Sequence, residues 1–190
     1  MEWQVRKARL TDANRIVELA GGYDNFLMPY VLSAFVVRNY INQFMVAETV
    51  AQVGIGVSPT SEVGGAIHYI DTSLVHGNNM TECDKVCSFL LHVKQVPEDI
   101  VDQFIITGGK VAFLGQIVCP GKGSFYAILE ELKKQYDELW CWMSIVGPSY
   151  KSYERYGFKF LEERTFWNVY KCDYSTFTLG KWKKEEKGED

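Results

Sequence analysis

Apolar positions along this chain change period several times, and each change marks an element. Trp3 and Val5, with the alternation running through Ala8, predict a first strand. Thr11 and Asp12 suit a helix start, Ile16, Val17, Leu19 and Ala20 supply its buried side, and Gly21 and Gly22 stop it. A second, strongly apolar helix is expected from Pro29 to Tyr40, carrying Val31, Leu32, Phe35 and Val36. Phe44 to Ala47 reads as a strand ending near Glu48 and Thr49. The Gly54, Gly56, Pro59 and Ser61 of the next stretch make Val50 to Val63 a long connection or loose hairpin arm. Gly64 to Asp71 is the next strand, with Ala66, His68 and Ile70 on one face and Ile67 and Tyr69 on the other.

A polar loop from Thr72 to Asp84 leads to two short helices, one supported by Val86, Phe89, Leu90 and Val93 and one running from Pro97 to Ile106. The stretch Lys110 to Tyr136 organises the rest. Its apolar run through Val111, Phe113, Leu114, Ile117 and Val118 fits a strand buried on both faces. Pro120, Gly121 and Gly123 break that run. Phe125, Ile128, Leu129 and Leu132 then recur at helical spacing behind Ser124 as N-cap. Leu139 to Val146 is another buried strand, and Gly147 and Pro148 introduce a short helix that halts at Gly157. Phe158 to Leu161 begins a strand, Thr165 to Cys172 alternates as its hairpin partner, and the tail KWKKEEKGED reads as a solvated charge run. This order of strands and helices implies a mixed sheet with helices on both faces, an α/β or α+β domain. The chain is read as one domain over residues 1–176, with a helical insertion at about 81–107 and a charged tail over 177–190.

Composition changes this picture little. With 190 residues, 47% hydrophobic and 23% charged, the chain can build a substantial core. A formal charge of -4 gives no global reason to expect nucleic acid as a partner. Cys83, Cys87, Cys119, Cys141 and Cys172 are odd in number and spread through apolar surroundings, which reads as reduced thiols in a cytoplasmic protein. Cys83 and Cys87, with His92 close behind, have a spacing metal sites allow, but no second ligand pair accompanies them and no metal is expected. MEWQVRKARL has no apolar signal core, and no apolar run is long enough to cross a bilayer.

The chemistry concentrates at the turn after the central strand. Strand, glycine turn and helix N-terminus offer unpaired amides, close backbone approach and a favourable dipole, and Lys122 adds a cation. A phosphate or pyrophosphate is the natural guest. The spacing is not that of a Walker loop, and glycines that merely relieve a tight turn explain the same residues.

The element order, the turn and the segment YERYGF (Tyr153 to Phe158) together resemble the GNAT superfamily of acyl-CoA-dependent N-acyltransferases, as a divergent member, over about Gln4 to Tyr174. The resemblance implies a mixed, mostly antiparallel central sheet with a splayed central strand pair. It implies acetyl-CoA or another acyl-CoA as co-substrate, its pantetheine arm pairing with the strand backbone at Ile117, Val118 and Cys119. Its pyrophosphate would rest on the amides of Gly121, Lys122, Gly123, Ser124 and Phe125. This chain departs from the family in passing directly from Pro120 to Gly121 and in placing the bulky Phe125 where a Gly or Ala is usual.

Acyl transfer from a thioester to an amine needs a neutral amine, a polarised carbonyl, a route for the amine proton and a proton for the thiolate. The resemblance assigns the carbonyl to a backbone amide near Val118 and the thiolate proton to Tyr153, whose other reading is packing of its helix on the sheet. For the base, His68 and Glu48 are the candidates; Gln116 would only orient a water, and some family members drain the proton through water alone. The implied function is transfer of an acetyl or other small acyl group to a primary amine on a small molecule or protein. The acceptor would be shaped by the Pro29 to Tyr40 helix, the Val50 to Val63 loop and the insertion, with Tyr23, Phe26, Tyr30 and Phe35 as candidate pocket aromatics. A non-catalytic module of the same fold, binding a protein or nucleotide, is the alternative, favoured by the shortened turn and Phe125. A homodimer through exposed C-terminal strands is compatible with either.

Overall fold

The structure, a computed structural model, describes residues 2–21, 33–50, 61–73 and 80–185. Its strands are β1 (Trp3–Lys7), β2 (Phe44–Val50), β3 (Ser61–Asp71), β4 (Val111–Val118), β5 (Glu138–Ser144), β6 (Lys159–Asn168) and β7 (Asp173–Lys183). Its helices are α1 (Ala13–Gly21), α2 (Ala34–Asn39), α3 (Met80–Ser88, continued by a π-helical turn over Phe89–Val93), α4 (Glu98–Ile106), α5 (Ser124–Gln135) and α6 (Tyr150–Arg155). The strands form a single mixed, mostly antiparallel sheet in the order β1-β2-β3-β4-β5-β7-β6, with the parallel pair β4 and β5 at its centre. Two compact units divide the chain, Met1–Tyr69 with Gly115–Glu131 and Ile70–Leu114 with Leu132–Asp190, so the division falls inside β3, β4 and α5.

In the first unit, β1, β2 and β3 pair antiparallel. Ile16, Leu19 and Ala20 of α1, Val37 of α2, Phe44 and Val46 of β2, Ala66 of β3 and Val118 of β4 share one core. The period read for α1 is the reason it packs there, since those three apolar side chains fall on one stripe. Between β2 and β3 the register shifts, with Ala47 opposite Gly65 and Glu48 opposite Val63, which leaves Gly64 as the extra residue of a bulge. Glycine is needed there because a Cβ on Gly64 would run into the Trp3 indole.

A Cβ on Gly115 of β4 would collide with the His68 ring, which tilts against the core residue Phe44 at 5.0 Å.

In the second unit, β5 pairs antiparallel with β7, and β7 with β6. Helices form at Met80–Ser88, Phe89–Val93 and Glu98–Ile106, with Val86, Phe89, Leu90, Ile100, Val101 and Phe104 buried. Gly157, at φ 84, ends α6 as the sequence suggested.

Two expectations for the C-terminal end are corrected. Thr165–Cys172 is not a separate strand: β6 runs unbroken to Asn168, and the turn follows, where the Asn168 side-chain oxygen accepts the amides of Tyr170 (3.0 Å) and Lys171 (3.2 Å). That turn has no Gly or Pro to announce it; its signal is the Asn. Residues 177–183 are not tail but the inner half of β7, where Phe177 and Leu179 are buried. The expected loop from Val50 to Val63 is likewise strand at Ser61–Val63, and residues 51–60 lie outside the described residues. So do Gly22, Tyr23, Phe26, Pro29, Tyr30, Val31 and Leu32, on which the reading of the second helix and of the pocket aromatics partly rested. No described helix is long and apolar enough to cross a membrane.

Candidate functional site

The turn from Cys119 to Phe125 is built by contacts within the first unit. The Gly121 amide donates to the Gly64 carbonyl at 3.0 Å, and the Ser124 amide donates to the Gly121 carbonyl at 2.9 Å. Trp3 lies across it, its indole N–H donating to the Lys122 carbonyl at 3.0 Å. A Cβ on Gly121 would come 2.7 Å from that indole, and Gly123 takes φ 87, a conformation glycine adopts without penalty. Both glycines therefore have a packing reason as well as a possible ligand.

Ser124 is the first residue of α5 rather than its N-cap. Its hydroxyl donates back to the Gly121 carbonyl at 2.7 Å and the side chain is fully buried, so it braces the turn from within. What the turn turns outward is Lys122 and Gly123, both exposed, whose amides have no protein acceptor among the described residues. Two amides at the start of a 12-residue helix, beside one lysine, suit an anion. Phe125 is half-buried, its ring 5.3 Å from that of Tyr126. Ile117 is half-buried and Val118 sits in the core. Cys119 reaches the Ala66 carbonyl through its sulfur at 3.6 Å, and burial pushes its thiol up to about 12, which leaves it protonated and unreactive.

His68 and Glu48 occupy separate settings. Phe44, the register partner of His68, lies four residues before Glu48 on β2, a spacing of about 13 Å. Buried His68 has its Nε2 2.9 Å from Gln43 Oε1, so Nε2 carries the proton and Nδ1 is turned toward Gly115. Gln43 escaped the sequence reading because nothing in a lone Gln before a strand signals a histidine partner. Glu48 accepts from Arg6 at 2.6 Å, and Arg6 also bonds both oxygens of Asp12 at 2.7 and 3.1 Å. Arg6 holds the Glu48 carboxyl below its ordinary range despite partial burial. At Asp12, burial favours the proton, but Arg6 and the Arg9 amide outweigh it and the carboxyl is lowered as well. Gln116 is 5% exposed, and neither atom of its amide finds a partner among the described residues.

Tyr153 belongs to the second unit and is 1% exposed. The segment that carries it is a Schellman stop: the Phe158 amide donates to the Tyr153 carbonyl (3.1 Å), the Gly157 amide to the Glu154 carbonyl (3.0 Å), and the two rings meet edge to face at 4.7 Å. Tyr153, Gly157 and Phe158 thus have a joint structural reason for their spacing. No cluster of three or more metal-ligating side chains occurs among the described residues.

No family model and no curated protein sequence matches the chain. Solved structures do match over nearly its whole length. Arabidopsis thaliana NAA60 in complex with acetyl-CoA aligns at TM-score 0.60 and 10% identity, covering 96% of this chain and 98% of its own. Ribosomal-protein-alanine N-acetyltransferase from Brucella melitensis aligns at 0.56 and 11%, covering 95% and 99%. An N-acetyltransferase from Staphylococcus aureus Mu50 aligns at 0.58 and 7%, covering 96% and 98%. The chain therefore has the GNAT fold, in a sequence far diverged from these neighbours.

Proposed function

We propose that this protein transfers an acetyl or other small acyl group from acyl-CoA to a primary amine. The observation that carries the reading is the outward pair of amides at Lys122 and Gly123, held at the head of α5 by the Trp3 indole and the Gly64 carbonyl. These amides and the Lys122 side chain would hold the coenzyme's pyrophosphate, and the backbone of Ile117, Val118 and Cys119 its pantetheine arm. The bound thioester supplies an activated acyl carbon.

The remaining chemistry falls to side chains. A backbone amide near Val118 would stabilise the carbonyl oxygen as it gains charge. Tyr153 would protonate the departing thiolate, its ring fixed by Phe158. Of the two candidate bases, His68 suits the role better than Glu48. Gln43 fixes the orientation of the imidazole through Nε2, whereas the ion pair with Arg6 lowers the proton affinity of Glu48. Gln116 would orient the water through which the amine proton leaves.

A second reading, a non-catalytic module of the same fold, is favoured by the near-complete burial of Tyr153 and by its part in stopping α6. Thermal unfolding with acetyl-CoA tests the donor site: saturation at about a hundred times Kd adds about 2.7 kcal/mol, a rise of about 5 to 10 °C for a chain of this size. No rise at millimolar acetyl-CoA would remove the proposal. Tyr153→Phe keeps the ring in place, so lost turnover with the shift intact supports chemistry, and unchanged turnover across an amine panel assigns Tyr153 to packing.

A further inference from the structure

The β5 strand carries two polar atoms that the fold does not use. Trp142 is 1% exposed, and its Nε1, like the Oγ of Ser144, is buried without a hydrogen-bond partner among the described residues. Leaving a buried donor unmade is costly, so two at alternate positions of one strand call for a reason. The regular register of β5 with β7 puts Trp142 and Ser144 on the same face, paired with Leu179 and Phe177.

Side chains of the second unit lie against that face. The Trp142 ring stacks on Phe166 at 6.2 Å and leans on Phe177 at 6.0 Å. Over the same face lies α4 of the insertion: Phe104 packs 5.8 Å from Trp140, and Asp99 takes both arms of Arg164 at 2.7 and 2.6 Å. Trp142 and Ser144 stand two residues apart on the strand, about 6.6 Å along it, so their two donors are neighbours on one face.

We infer that the Trp142 indole N–H and the Ser144 hydroxyl form a binding site for a neutral carbonyl oxygen, such as that of an amide, on a molecule admitted beneath the insertion. Charge decides between carbonyl and carboxylate. Among the described residues the cations on this face are already engaged, Arg164 with Asp99 and Glu162 and Lys181 against the Trp140 ring beside Glu138 and Glu162, so a buried carboxylate would go without a counter-ion of its own, whereas an amide oxygen asks only for the two donors offered. Naming that molecule the acyl acceptor rests on the function proposed above, and would make the acceptor an amine with an amide nearby; the oxygen site itself does not depend on it.

The test is a titration of the full chain, labelled with 15N at its five tryptophans, with no coenzyme present. Acetamide is the probe and acetate the control, and Trp142→Phe identifies the indole resonance. The expected result is a saturable shift of the Trp142 N–H with acetamide, absent with acetate, and an affinity about threefold to tenfold weaker in Ser144→Ala, one hydrogen bond's worth. Dispersion of the other four indole signals shows that each variant is folded. The inference is overturned if the Trp142 signal ignores acetamide, as it would with a bridging water alone, if acetate moves it equally, or if Ser144→Ala binds as well as the parent. A shift with acetamide but no stabilisation by acetyl-CoA would keep the site and discard only its description as an acceptor site.

Discussion

Lys94 gives the sharpest quantitative handle on the second unit. It follows the π-helical turn of the insertion and is buried, and burial lowers its ammonium from 10.5 to about 8. At 1.36 kcal/mol per unit, keeping the charged lysine inside at neutral pH costs about 3 kcal/mol relative to a neutral side chain. The sign follows from proton counts. Between pH 8 and 10.5 the unfolded chain holds this proton and the folded chain does not, so stability rises with pH through that window; below pH 8 both forms are protonated and the slope vanishes. Lys94→Met removes the titration and keeps much of the volume. Urea unfolding at half-unit steps from pH 7 to 10.5 should find the variant more stable at pH 7, by up to about 3 kcal/mol, with the difference shrinking to near zero by pH 10.5. Other lysines and tyrosines titrate in both proteins and cancel. The Cys141 thiol, pushed up to about 12 by burial, stays protonated throughout. Parallel stability curves for the two proteins would refute a buried, proton-shedding lysine.

Three further outcomes are expected. Gly115→Ala should destabilise by about 1 to 3 kcal/mol and release His68 from Gln43, because a Cβ there displaces the imidazole; the His68 ring resonances would report a changed tautomer balance, and an unchanged spectrum would contradict it. Asp12 and Glu48, both lowered by Arg6, contribute stability that is present above the ordinary carboxylate range and lost as pH falls from about 4 downward. Glu48→Gln should therefore flatten the acid limb of the denaturation profile, and an unaltered limb would show the pair to be idle. Gly157→Ala should cost about 1 kcal/mol by placing a Cβ at positive φ, measurable as a lower urea midpoint with unchanged slope.

Much of the sheet was legible because its strands are apolar runs punctuated by Gly and Pro, and α5 because Ile128, Leu129 and Leu132 keep a helical period into the core. The β6 and β7 hairpin was misplaced because its turn is made by an Asn side chain, and a segment rich in Lys hid part of β7, where Lys181 covers the Trp140 ring at 3.3 Å. At the site, the glycines, the lysine and the histidine could be read, but not what holds them. Trp3 and Gln43 act across 119 and 25 residues of sequence, and no local pattern records a partner at that distance. The role assumed for Ser124 failed for a related reason: a serine before an amphipathic run looks the same whether its hydroxyl caps the helix or turns back to Gly121.

The two features that suggested the family differ in what they imply once placed. Tyr153, Gly157 and Phe158 satisfy each other: the glycine supplies positive φ, the amides of Gly157 and Phe158 close the helix end, and the two rings seal it. A chain that had lost all activity would still need them to stop α6 and start β6, so that motif argues for the fold. The turn at Gly121 to Gly123 is also braced from behind, by Trp3, Gly64 and Ser124, but bracing does not use the outward amides of Lys122 and Gly123. Folding alone sets no requirement on them. If Trp3→Phe, which deletes the bond to the Lys122 carbonyl but leaves a ring against the glycines, lowers acetyl-CoA affinity more than it lowers stability, the turn is organised for a ligand. Equal losses in both would mean the indole serves the fold, and the functional reading would lose its main support.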